Sequence, residues 1–362
     1  MNKIIQGDCR DVMRDLITKK VKVQTCVTSP PYFGLRDYGV DGQIGLESCM
    51  EEFLESMVEV FSLVHDLLDD SGTLWLNLGD SYSAGGNGGQ GSGSGSFHGH
   101  KSRGNVDLAG KPKKTPGFKP KQLLGIPWRV AFALQDSGWY LRQDIIWSKP
   151  NPMPESVKDR CTKSHEYIFL LSKSKRYFFD HDSIKEKASY PEGPNSPESI
   201  ASPYGQGFSR EYKSPDGWDT SVGEGGHGTI HKKGREKGNR KTFRGGGAYT
   251  QGGSFDNQSD AENNSQGNEP NISGLRGKRS VWTVATRPYS QAHFATYPEE
   301  LIEPCILAGS KPGDIVFDPF MGSGTTAAVA QRLGRNYLGS ELNPEYFDLH
   351  DDRIGTQPGM PL

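Results

Sequence analysis

Thr28-Ser29-Pro30-Pro31-Tyr32 gathers within one short run the groups needed to grip a flat amine. Proline fixes φ, restricts its predecessor and has no N–H, so carbonyl oxygens in such a run are left free as acceptors. Ser29 adds a side-chain acceptor, and Tyr32 a flat face with a polar tip. Together they could hold an exocyclic amino group by both its protons while an aromatic ring stacks on the attached base. Read as packing alone, the same residues make a proline-stiffened turn with a core tyrosine.

A second constellation lies near the other end of the chain. Asp314-Ile315-Val316-Phe317-Asp318 reads as a buried strand, Pro319 to Gly324 as a glycine turn, and Thr325 onward as a helix through Ala330 and Leu333. Glycines let a backbone turn tightly against a ligand, and the helix N-terminus offers unpaired N–H donors. A further strand, Asn336 to Ser340, ends at Glu341, where an acid can accept hydrogen bonds from ribose hydroxyls. No Gly-Lys-Ser/Thr follows the glycines, so this is not a phosphate-gripping P-loop. Asp318 would repel a pyrophosphate but attract an ammonium group. A ligand with an ammonium-bearing amino-acid end and a ribose end therefore fits better than a dinucleotide, and S-adenosylmethionine is such a ligand.

These residues need a scaffold. Val12, Met13, Leu16 and Ile17 have helical spacing, and Val21 to Val27 alternates like a strand ending at the prolines. Met50 to Leu68 is helical in pattern, with a turn expected at Ser71-Gly72 and a strand over Thr73 to Leu78. A helix is expected from Pro127 to Ser137, then strands at Ile145-Trp147 and Tyr167-Leu171. Repeated alternation of helix and strand predicts an α/β fold with a largely parallel sheet.

Composition limits what else the chain can be. Only 33% of the 362 residues are hydrophobic and 46 are glycine, so part of the chain is expected to be loop or disorder rather than core. A formal charge of −2 excludes a binder that works by bulk positive charge, though not local basic surfaces. Five scattered cysteines with neither CxxC nor zinc spacing indicate reduced thiols and no metal site. No signal peptide or membrane span is evident, which predicts a soluble cytoplasmic protein. Two polar stretches interrupt the pattern, and both are basic. The first contains Lys111, Lys113 and Lys114, the second Lys232, Lys233, Arg235, Arg240, Lys241 and Arg244. They read either as solvated linkers or as loops that neutralise phosphates on a polyanion.

The two motifs and their order resemble the amino-methylating DNA methyltransferases in the β arrangement, with the catalytic motif ahead of the cofactor motif. Thr28 to Tyr32 matches the family's catalytic motif, and Asp318-Pro319-Phe320-Met321-Gly322-Ser323-Gly324 its D-x-F-x-G-x-G cofactor motif. Trp147-Ser148-Lys149-Pro150-Asn151-Pro152 resembles the family's late catalytic strands, and His293 to Pro298 the segment entering the cofactor half. The resemblance implies a Rossmann-like twisted, mostly parallel sheet with helices on both faces and inserted polar loops. It implies catalytic roles for Ser29, Pro30, Pro31 and Tyr32. It places Thr28, Asp318, Phe320, Gly322, Gly324 and Thr325 around S-adenosylmethionine, with Glu341 on the ribose, Asp8 on the adenine amino group, and Thr296 and Pro298 as weaker matches.

On the same resemblance, residues 1–176 form the catalytic half, with a basic insertion at about 83–120. Residues 177–282 form a target-recognition region and 283–362 the cofactor half. The expected substrate is double-stranded DNA, with the target base flipped out of the stack. The basic residues named above would embrace the duplex. A cognate restriction endonuclease and a homodimer are further partners that the resemblance leaves open. Ser at the first motif position favours cytosine N4 over adenine N6, the latter being the alternative. A non-catalytic cofactor- and DNA-binding module and an RNA or small-molecule N-methyltransferase are rival readings. A nicotinamide dehydrogenase is a poorer one, because Asp318 would crowd a pyrophosphate.

Overall fold

The computed structural model describes residues 2–34, 39–83, 115–188, 275–287 and 297–355. The chain divides into two compact units, Met1–Ile184 with Gly277–Leu362, and Lys185–Arg276. The first is built on one eight-stranded sheet. Its strands are β1 (Lys3–Gln6), β2 (Val23–Thr28), β3 (Leu68–Leu78), β4 (Tyr140–Ser148), β5 (His165–Ser172), β8 (Val281–Thr283), β9 (Ile315–Asp318) and β10 (Asn336–Glu341). They lie in the order β1-β10-β9-β2-β3-β5-β4-β8. Only β5 runs antiparallel to its neighbours. The carboxyl ends of the other seven therefore share one edge of the sheet, where ligands of such folds bind. In the second unit the described residues form β6 (Glu186–Lys187) and β7 (Leu275–Arg276), an antiparallel pair joined also by Arg276 Nε to Glu186 Oε1 at 3.0 Å.

Alternation along the strands supplies both faces with core. Cys26, Leu74, Leu76 and Phe169 pack with helices α1 (Cys9–Thr18), α2 (Met50–Leu67) and α3 (Ile126–Asp136). Val27, Trp75, Ile168 and Leu170 pack on the opposite face with α4 (Glu299–Gly309) and α5 (Thr325–Arg332). Helix α2 alone buries Phe53, Met57, Val60, Phe61 and Val64 completely, each contributing about 1.5–3 kcal/mol. Gly309, at the end of α4, lets that helix sit against the sheet: a Cβ there would lie 2.7 Å from Thr25 Oγ1. The sheet and flanking helices are those of the expected Rossmann-like fold.

Three local expectations need correction. The segment Ser71-Gly72 is no turn; it lies inside β3, within an irregularity where the register passes from Val23↔Leu68 to Thr25↔Thr73. Strand β2 begins at Val23 rather than Val21, because the Val21 N–H is already spent on Leu16 O at 3.0 Å in the exit from α1. Strands β4 and β5 each extend beyond the apolar runs that announced them. No described helix is long and apolar enough to cross a membrane, and no group of metal-ligating side chains occurs among the described residues.

Candidate active site

The cofactor-side loop begins where β9 ends. Asp318 is buried, and four donors converge on its carboxylate. Thr28 Oγ1 (2.6 Å) and Phe320 N (3.0 Å) donate to Oδ1, while Thr326 Oγ1 (2.6 Å) and Tyr297 OH (3.1 Å) donate to Oδ2. The Thr28 bond spans 290 positions of sequence and ties the strand leading into Ser29 directly to the glycine loop. Burial nevertheless pushes the Asp318 carboxyl above the usual carboxylate range. The Tyr297 and Thr326 hydroxyl oxygens are also in close contact with each other, and burial raises the Tyr297 phenol.

Beyond Asp318 the loop is fixed mainly by backbone donors. Gly322 N donates to Glu341 Oε2 at 2.7 Å, and Asn343 N to Glu341 Oε1 at 2.8 Å. Glu341 thus keeps lone pairs to accept hydroxyl donors, and burial raises its carboxyl too. Gly322 (φ +53°) and Gly324 (φ +86°) take left-handed backbone, and Gly324 opens α5 so that the N–H groups of its first turn border the loop. Helix α6 (Phe347–Gly355) closes the far side. His350 Nε2 donates to Gly322 O at 2.7 Å, leaving Nδ1 buried without a partner among the described residues. Arg353 Nη1 donates to Ser323 Oγ at 2.6 Å.

Gly7 N bonds Glu341 O at 2.9 Å, which brings Asp8 beside the same strand end. Asp8 caps α1 and accepts from Arg10 N (2.8 Å), Nε (3.0 Å) and Nη2 (2.6 Å). The Arg10 guanidinium holds its carboxyl below the ordinary value. Phe320 is half-buried, Thr325 is buried at the first position of α5, and Pro298 caps α4. Thr296 lies outside the described residues, as do Lys111, Lys113, Lys114, Lys232, Lys233, Arg235, Arg240, Lys241 and Arg244. Two buried acids, two left-handed glycines and no lysine or arginine from Pro319 to Thr326 form a donor and acceptor set that fits a cationic, ribose-bearing cofactor.

The proline motif follows β2 on the same edge. Pro30 is buried, while Ser29, Pro31 and Tyr32 are half-buried. Gly45, at φ +101°, braces the motif from outside, since a Cβ there would lie 3.1 Å from Tyr32 O. The Tyr32 hydroxyl lies 2.8 Å from Glu166 Oε2, to which it donates, and 3.3 Å from Asn77 Oδ1. Glu166 also pairs with Lys149, whose ammonium stands 4.1 Å over the Trp147 ring. Asn77 Nδ2 donates to Tyr167 O at 3.1 Å. Gly79 leaves room for the tyrosine, because a Cβ there would come within 2.6 Å of Tyr32 Cε2. Asp80, just beyond the end of β3, accepts from Gly125 N (3.2 Å) and Ile126 N (3.0 Å) at the start of α3, and Lys163 Nζ donates to Asp80 O at 2.6 Å. Desolvation lowers the Lys163 ammonium.

Sequence reasoning missed Asn77, Gly79, Asp80, Lys163, Glu166, Tyr297 and Thr326. Tyr297, one residue before Pro298 in a segment already singled out, carried a usable signal. Thr326 lies only eight residues from Asp318, within the same loop-to-helix run. The others meet partners that are distant in sequence.

Residues 23–352 match the sequence profile described as DNA methylase. The chain belongs to the DNA methylase family. It is 40% identical to the type II methyltransferase M.Cfr9I of Citrobacter freundii over 351 residues, covering 97% of this chain and 87% of that one. It is likewise 40% identical to the type II methyltransferase M.SmaI of Serratia marcescens over 353 residues, covering 97% and 90%. Among solved structures, the PvuII DNA methyltransferase, described as cytosine-N4-specific, superposes with a TM-score of 0.52 at 16% identity, covering 100% of this chain and 88% of that one. That likeness concerns the fold.

Proposed function

We propose that the protein transfers a methyl group from S-adenosylmethionine to the exocyclic N4 of cytosine in duplex DNA, on a base turned out of the stack. The observation that carries this reading is the hydrogen bond from Thr28 to Asp318, which sets the proline motif and the glycine loop side by side at neighbouring strand ends. The cofactor supplies an electrophilic methyl on a sulfonium. Glu341 accepts from the ribose hydroxyls, and Asp8 accepts from the adenine amino group with the capacity that Arg10 leaves it. Asp318, Phe320, Gly322, Gly324 and Thr325 line the methionine end, and the family resemblance adds Thr296 and Pro298 as weaker cofactor-binding candidates.

The chain's task on the other side is to orient a poor nucleophile. The amino lone pair of cytosine is delocalised into the ring. Ser29 Oγ and the Pro30 carbonyl accept its two protons, favour a more pyramidal nitrogen and aim the lone pair at the methyl. Pro31 keeps the run rigid. Tyr32 stacks on the base, held in place through its hydroxyl by Glu166. The nitrogen loses its proton after the methyl has arrived, so no strong base is needed before attack. Adenine N6 presents the same amino group beside a ring nitrogen. The preference for cytosine rests on the family resemblance, in which Ser at the first motif position goes with cytosine N4 and Asp, the stronger acceptor, with adenine N6.

We assign residues 1–176 and 283–362 to the catalytic and cofactor halves and 177–282 to target recognition. The basic residues at 111–114 and 232–244 would hold the phosphates. A cytoplasmic location, a cognate restriction endonuclease and a homodimer belong to the same reading. The test is methyl transfer from labelled S-adenosylmethionine to unmodified duplex DNA, followed by nucleoside mass spectrometry. Label in N4-methylcytosine is the expected result. Label in N6-methyladenine would overturn the base assignment and keep the reaction. No label with several genomic DNAs, while the cofactor still binds, would remove DNA as the substrate.

A further inference from the structure

Among the described residues the most exposed large apolar side chain is Met153, 87% exposed, against 59% for Val281 and 51% for Phe132. It occupies the loop between β4 and β5, in the run Asn151-Pro152-Met153-Pro154-Glu155. Such exposure forfeits hydrophobic stabilisation, and a loose loop would let the side chain fold back. This loop is held at both flanks. Asn151 Oδ1 accepts from Thr286 N at 2.9 Å, and its Nδ2 donates to Thr286 O at 3.0 Å. Glu155 Oε2 accepts from Arg160 Nη1 at 2.6 Å. Lys149 N bonds Ser164 O at 2.8 Å and closes the base of the loop. Between the flanks, prolines on both sides of Met153 restrict the backbone further. The apolar tip is therefore presented on a stiff support.

Its position is as telling as its exposure. The loop springs from the sheet edge that carries the proline motif, and its base residue Lys149 shares Glu166 with Tyr32. Met153 lies four positions beyond Lys149, a reach of at most about 14 Å. A base turned out of a duplex leaves a gap in the stack, and apolar side chains such as Met can fill a gap between base steps. Methionine suits this because its unbranched, polarizable thioether adapts to flat aromatic neighbours.

We propose that Met153 is a wedge that enters the DNA stack beside the target base and holds open the space the base has left. This rests on the DNA-methylation reading above. The test uses duplexes carrying the site at which the wild-type protein deposits label, with 2-aminopurine next to the target base as a reporter of unstacking. Met153→Ala and Met153→Leu are compared on a matched duplex and on one with an abasic position opposite the target. Met153→Ala is expected to lose roughly tenfold in methylation rate and most of the fluorescence rise on the matched duplex, and to recover on the abasic duplex. Met153→Leu should stay near wild type, and cofactor affinity should not change in either variant. Equal behaviour of Met153→Ala and wild type on the matched duplex would overturn the wedge. So would an equal loss on both duplexes, or a loss that tracks a change from dimer to monomer by sedimentation, which would make a second copy the partner. If the wild type methylates no DNA at all, the parent reading fails, and the wedge falls with it.

Discussion

The glycine loop after β9 and the polar cluster around Tyr32 share one edge of one sheet, yet they are held by different means. In the loop, backbone groups do most of the positioning: Phe320 N to Asp318, Gly322 N to Glu341 and Met321 N to Ser340 O. In the cluster the links are between side chains from separate strands and the loops that follow them, Tyr32 with Glu166, Glu166 with Lys149, and Asn77 beside both. Backbone donors survive every substitution except one to proline, so the loop is vulnerable chiefly at its glycines and its two acids. The cluster can be dismantled one side chain at a time. On the proposed reading, a cofactor common to every turnover would meet a fixed cradle, and the base an adjustable wall.

Substitutions on the two sides should separate these roles. The largest effect is expected from Ser29→Ala, which on the proposed mechanism removes one acceptor from the amino group: turnover should fall by roughly 10²–10³ while cofactor affinity stays unchanged. Single-turnover methylation beside calorimetric titration with S-adenosylmethionine would measure both, and a parallel loss of cofactor affinity would break the division. Gly324→Ala should do the opposite. It puts a Cβ 3.1 Å from His350 Cδ2 at φ +86°, and should cost about 1–3 kcal/mol of stability, read by denaturant unfolding, together with cofactor affinity.

Gly79→Ala is a gentler probe of the cluster, because it deletes no polar group. A Cβ 2.6 Å from Tyr32 Cε2 must displace the ring, so kcat should fall about tenfold with cofactor binding intact. An unchanged kcat would mean that the tyrosine ring position is not critical.

The smallest effects should appear in stability against pH. Burial lowers the His350 imidazole below 6.5, so the unfolded chain takes up the proton first. Stability from this group is complete above pH 6.5 and is lost as the pH falls through the lowered folded value. His350→Gln should flatten that limb of the curve. Asp8, lowered by Arg10, acts in the same direction in a more acidic window. The gap between wild type and Asp8→Asn should be full above pH 3.8 and close below it, in urea titrations at a series of pH values.

Much of this molecule is written in local pattern. The spacing of Phe53, Met57, Val60, Phe61 and Val64 reads as a helix, and the run from Ile315 to Asp318 with the glycines after it reads as strand and loop without reference to the rest of the chain. Several elements escaped, and two of them show why. Strand β1 is only Lys3–Gln6, too short and too polar at its ends to announce itself, and it exists because β10 pairs with it in parallel. Helix α4 contains Pro304, which argues against a helix, yet burial of Leu301, Ile302, Cys305 and Ile306 outweighs the one hydrogen bond that proline removes.

The candidate site divides in the same way. Sequence alone determined the chemistry available at Ser29-Pro30-Pro31-Tyr32 and at Asp318 to Gly324, because rigid prolines, left-handed glycines and acids at strand ends act over a few residues. It also determined their order along the chain. Only the tertiary structure decided that Thr28 reaches Asp318, that Tyr32 rests on Glu166, and that Lys149 and Lys163 close around them. Those contacts span 17 to 290 positions. Their partners are chosen by strand order and register, which side-chain burial across the whole sheet sets and no local run of residues encodes.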